Sequence, residues 1–158
     1  MLTYFELNHR NRLTRKETPQ ESDILVLGTN FYTKLASDGP EGVDSWTSKR
    51  SLQIFKKKFI FVPVNKDLHW SLFIIVNPGL LCHLESGEGD SIEMPFMLFI
   101  DSGRSKKYAH NATEMKKPLY DWLNFQAQRF TNELFRGKEK PFNIRSMKLC
   151  DVKGKSSH

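Results

Sequence analysis

Cysteine is scarce in this chain: of 158 residues only Cys82 and Cys150 carry a thiol. Two such distant cysteines can build neither a disulfide framework nor a zinc site of paired thiolates, so both are read as reduced thiols. Long apolar runs are missing as well. No stretch approaches the roughly 20 residues that a membrane helix needs, and no membrane partner is expected. The first ten residues, Met1 to Arg10, have neither the apolar core nor the small-residue cleavage site of a secretory signal, which predicts an intracellular protein. Histidines are few, and His83, His110 and His158 have no close-spaced ligand partner. No metal site and no cofactor are expected.

What is present is enough for one folded unit. A hydrophobic fraction of 39% with 12% aromatics supports a packed interior, and 158 residues fit a single domain over 1–158. The net charge is +6, but its lysines and arginines fall in separate short clusters, Arg10 to Lys16, Lys56 to Lys58, Arg104 to Lys107 and Lys138 to Lys155. No aromatic-interleaved basic motif runs among them, so the charge reads as a solvated surface able to steer an acidic protein, and nucleic acid is not an expected partner.

Along the chain, Leu2, Phe5 and Leu7 resemble the end of an amphipathic helix that starts before residue 1. A charged loop then leads to the apolar segment Ile24 to Leu27 and a helical turn over Phe31 to Leu35. Ser37 to Gly42 reads as a polar turn, and Trp46 with Leu52, Ile54 and Phe55 as a short helix. β-Branched and aromatic residues predict strands over 59–64 and 70–76, joined as a hairpin by Asn65 to Leu68. Residues 77–95, with Pro78-Gly79 and an acidic glycine-rich run, form an expected flexible insertion before a strand over 96–101. Met115, Leu119, Trp122, Leu123, Ala127 and Phe130 recur at helical spacing over 113–134. Met147 to Cys150 reads as one last strand, and 151–158 as a disordered tail.

His69 opens one of these strands and Asp101 closes another. Each has a plain structural reading, a histidine beside a tryptophan at a strand start and a carboxylate capping the following turn. Together they suggest an imidazole held through one ring nitrogen by a carboxylate, with the other nitrogen left to take a proton from a thiol.

Trp46-Thr47, Ile54-Phe55, the run Phe59 to Asn65, His69-Trp70 and Phe99 to Ser102 resemble, in order and spacing, the SUMO-specific cysteine proteases of the Ulp/SENP family. The polar residues 82–94 between the His and Asp strands make the chain most similar to the branch that trims poly-SUMO chains. The resemblance spans residues 24 to 150. It implies an α+β, papain-like (adenovirus-proteinase-like) fold, here incomplete, with a central mixed or antiparallel sheet flanked by helices. It also implies deSUMOylating cysteine-type peptidase activity after the modifier's terminal Gly-Gly, SUMO or another ubiquitin-like modifier as partner, and a nuclear location. His69 matches the family's base, Asp101 its orienting acid, and Trp70 the aromatic wall of the tunnel that holds the Gly-Gly tail.

The chain departs from the family where the nucleophile should stand. Leu149-Cys150-Asp151 approaches the segment that carries the oxyanion Gln and an Asp-Cys-Gly, then the sequence ends, so both ends read as cut. Cys150 is read as a small buried apolar residue rather than the nucleophile. Loss of a covering layer is expected to expose the sheet around Phe61, Phe73 and Ile75. Taken alone, the chain is expected not to cleave. Two functions follow: a SUMO-family isopeptidase domain lacking its nucleophile segment, or a catalytically inactive modifier-binding pseudoprotease.

Overall fold

The computed structural model describes residues 23–47, 54–82, 95–101, 111–135 and 147–153. Five strands, β1 (Ile24–Val26), β2 (Phe59–Lys66), β3 (His69–Val76), β4 (Phe96–Asp101) and β5 (Lys148–Lys153), form one sheet in chain order. Helix α1 (Phe31–Gly42) and the single turn α2 (Asp44–Thr47) follow β1, and α3 (Ala112–Phe135) lies between β4 and β5. The sheet is mixed. β2–β3 and β3–β4 are antiparallel, whereas β1–β2 and β4–β5 are parallel and each parallel pair is linked by a helical crossover.

Strand alternation sorts the sheet into two faces. Register aligns Ile60 with Ile75, Val62 with Phe73, Ile75 with Met97 and Phe73 with Phe99, and all six side chains are fully or almost fully buried. α1 and α3 supply the other half of this core through Phe31, Leu35, Met115, Leu119, Trp122 and Leu123. Phe31 meets Trp122 edge to face at 5.1 Å, and Tyr32 stacks on Phe73 at 6.3 Å. Phe73 and Ile75 are therefore covered, contrary to the expectation of an exposed face. Phe61 pairs with Ile74 and lies on the opposite side, so the three residues never shared a face.

That opposite face is also apolar, carrying Phe59, Phe61, Pro63, Leu72, Ile74 and Leu98, but it is covered less completely. Val26, Ile100 and Val152 on it are exposed. Pro63 is tolerated because β1 pairs only with Phe59 to Phe61. The Phe61 carbonyl accepts from Leu27 N–H at 2.9 Å, so residue 63 turns its missing N–H to the side where β1 has already ended.

The helices differ from expectation mainly at their ends. The polar run Ser37 to Gly42 does not stop α1 but breaks it: Gly39 sits at φ 73°, and Pro40 opens a further turn. α3 is capped by Asn111, whose Oδ1 accepts from the N–H groups of Thr113 (3.1 Å) and Glu114 (3.3 Å). Tyr32 Oη donates to the Met115 carbonyl at 3.0 Å and Tyr120 Oη to that of Met147 at 2.8 Å, tying α3 to α1 and to the approach of β5. Two boundary readings change. Residues 78–82 of the expected insertion form a 3-10 turn, and Asp151 to Lys153 continue β5 instead of starting a tail. Ladder pairing with β4 out to Asp101 holds those three in place. Residues 83–94 and 154–158 lie outside the described residues, as does the N-terminal helix end.

Candidate active site

The hairpin of β2 and β3 is tighter than the spacing suggested. Lys66 pairs with His69, leaving Asp67 and Leu68 as a two-residue turn with φ of 53° and 60°. Both angles are positive, as a type I′ turn requires. His69 is thereby the first residue of β3, at the rim of the sheet, while Asp101 ends β4.

Register brings the two together. Asp101 lies directly opposite Ser71, and His69 is two residues before Ser71 on the same face of β3. A diagonal neighbour at this separation is within reach of a long side chain, and His69 Nε2 is hydrogen-bonded to Asp101 Oδ1. The pair is only partly open to water, with side-chain exposures of 18% for His69 and 9% for Asp101. With the carboxylate accepting from Nε2–H, the ring is held in the tautomer that leaves Nδ1 as the acceptor. Such an arrangement can take up a proton at Nδ1 and stabilise the imidazolium that results.

Trp70 points to the other face, pairs with Asn65, and is 49% exposed. Cys150 also belongs to that face, paired with Leu98, and is exposed where a buried side chain was expected. The cause is its place on β5, which has β4 on one side and no described strand on the other. It lies three residues before Lys153, the register partner of Asp101, a span of about 10 Å along the strand. Cys150 and His69 thus stand on opposite faces as well as apart. Among the described residues no group of three or more His, Cys, Asp and Glu is placed to hold a metal ion, and no helix is long and apolar enough to cross a membrane.

One polar residue at this site was passed over in the sequence. Ser71 is buried, faces the same side as His69, and sits opposite the carboxylate. The period-2 alternation His69, Ser71, Phe73 would have put it on the His69 face; only the pairing of β3 with β4 puts it against Asp101.

Comparisons with known proteins point one way. The chain is 43% identical over 99 residues to the probable ubiquitin-like-specific protease 2B of Arabidopsis thaliana, a match covering 54% of this chain and 10% of that protein. It is 40% identical over 82 residues to ubiquitin-like-specific protease 2 of Schizosaccharomyces pombe, covering 46% and 12%. Human sentrin-specific protease 2 is 40% identical over 68 residues, covering 42% and 11%. The chain therefore spans about a tenth of the length of these curated relatives. Among solved structures, a de-sumoylating protease superposes with TM-score 0.59 at 20% identity, covering 85% of this chain and 44% of that one. The C-terminal Ulp1 protease domain in complex with SMT3, the yeast ortholog of SUMO, superposes with TM-score 0.53 at 21% identity, covering 82% and 47%. These two carry the same α+β fold around the five-stranded sheet. The profile of the Ulp1 protease family, C-terminal catalytic domain, matches residues 1–148, and the chain belongs to that family of cysteine proteases.

Proposed function

We propose that this chain carries the base-bearing part of a cysteine isopeptidase that acts after the C-terminal Gly-Gly of SUMO or another ubiquitin-like modifier. The bond between His69 Nε2 and Asp101 carries the reading, because it leaves Nδ1 ready to accept a thiol proton. In the reaction, Nδ1 takes that proton, and the thiolate attacks the carbonyl of the terminal glycine. The imidazolium then returns the proton to the departing lysine amine, giving a thioester that water hydrolyses through the same base. Asp101 holds the ring and offsets its transient positive charge. Trp70, half-exposed beside the pair in sequence, is the wall against which a Gly-Gly tail, having no side chains, could lie. Cys150 is not the thiol in this scheme, since it stands on the other face of the sheet. A nuclear location, carried over from the family resemblance, belongs to the same proposal.

Calorimetric titration tests it, using SUMO and a SUMO truncated before Gly-Gly. The intact modifier is expected to bind and the truncated one to bind at least tenfold more weakly, as is intact SUMO to Trp70→Ala. Equal affinity for both modifiers, or none for either, would reject the proposal. A SUMO-derived vinyl sulfone is expected to leave Cys150 unmodified. An adduct on Cys150 that disappears in His69→Ala would make Cys150 the nucleophile after all. Modifier binding without any adduct would favour the pseudoprotease reading for the chain by itself.

A further inference from the structure

Three polar or charged residues are buried among the described ones: Thr47, Gln126 and Ser71. Thr47 and Gln126 bond to each other, far from the sheet rim. Ser71 is 7% exposed and lies inside the sheet, flanked by Val64 on β2 and Asp101 on β4. The next residues on its face are Phe73 and Phe99, both apolar, and His69. The side-chain polar groups within one cross-strand step of its hydroxyl are therefore those of the His69–Asp101 pair. A buried hydroxyl needs a partner, and His69 already engages Oδ1 of a carboxylate that has further acceptor sites to fill.

We infer that Ser71 is a positioning residue: its hydroxyl donates to the Asp101 carboxylate and fixes the plane in which that carboxylate receives His69 Nε2–H. The inference rests on the reading of His69 as a base held by Asp101. A carboxylate turns easily about its last torsion. One donor from the strand opposite and one from the imidazole together define a single orientation, and that orientation keeps the ring proton on Nε2 and Nδ1 open. The strand pairing that makes the sheet also sets the base.

The experiment is NMR of the 15N-histidine-labelled chain, reading the His69 Nε2–H resonance and its exchange with water, assigned by its loss in His69→Gln. Ser71→Ala and the nearly isosteric Ser71→Cys are each expected to speed that exchange roughly fivefold, the factor that loss of one net hydrogen bond gives an opening equilibrium. Ser71→Thr, which keeps the hydroxyl, is expected to match the parent. Asp101→Asn serves as the reference and is expected to abolish the protected Nε2–H. The other charged groups nearby, Lys66 opposite His69, Asp67 in the turn and Lys153 opposite Asp101, are the same in every variant. If folded Ser71→Ala and Ser71→Cys leave the exchange unchanged while Asp101→Asn abolishes the signal, the positioning role is overturned and the base reading stands. If Asp101→Asn also changes nothing, the base reading itself falls.

Discussion

Single side chains in this protein are set by whether their polar atoms find partners when buried. The Tyr32 hydroxyl, buried in the core and donating to the Met115 carbonyl, has its pKa pushed up by desolvation to about 12 from the model value 10.0. Above pH 10 the unfolded chain loses this proton while the folded one keeps it. The resulting stabilisation is full below pH 10 and is lost as the pH rises towards 12, with a slope of about 1.4 kcal/mol per unit. Tyr32→Phe is expected to lack that share of the alkaline loss, which urea midpoints measured between pH 9 and 12 will show. Gln126 is a contrasting case. Its amide donates to Thr47 Oγ1 at 3.0 Å, yet no donor reaches Oε1. Because an unpaired buried acceptor costs about 1–3 kcal/mol, Gln126→Met is expected to cost less than about 1 kcal/mol or to stabilise, a sign opposite to that usual for a fully buried residue. Both burials follow from the packing of α3 and could not be read from spacing alone: the helical period put Trp122 and Leu123 inward but treated Gln126 as an ordinary polar position.

At the level of elements, the β2–β3 hairpin combines a favourable register with an unfavourable residue. Leu68 occupies a left-handed turn position at φ 60° and is fully exposed, so no burial offsets the backbone cost. Leu68→Asn is expected to raise stability by about 0.5–1 kcal/mol in thermal unfolding, since asparagine tolerates this conformation and no packing is lost. A decrease would show that the leucine holds the turn. The strands themselves were legible, because Phe59 to Val64 and Trp70 to Val76 have the aromatic and β-branched content of buried strands. Their exact junction was not. Asn65, Lys66 and His69 are polar residues drawn into the ladder by pairing with Trp70, His69 and Lys66, and hydrogen bonding between strands, which local preference does not contain, decides such ends. The same reason explains why Asp151 to Lys153 belong to β5: paired with Phe99 to Asp101, three residues of tail-like composition become strand.

Over the whole molecule, one sheet face is sealed by α1 and α3, while the other leaves Val26, Trp70, Ile100 and Val152 exposed. Ile100 and Val152 are adjacent by register, and Val152 lies on an edge strand. An exposed apolar patch on such an edge favours association. Val152→Lys is expected to reduce light scattering of concentrated solutions by severalfold while leaving the unfolding midpoint almost unchanged; equal scattering would place the sticky surface elsewhere. The sequence by itself determined the order of strands and helices, the apolar content of the core, and the choice of His69 and Asp101 as candidates, because these follow from residue type and local period. Tertiary structure alone decided which face each side chain occupies. It separated Phe61 from Phe73, placed Cys150 away from His69, and brought His69, Ser71 and Asp101 together, since contacts across a sheet depend on the register of strands that lie far apart along the chain.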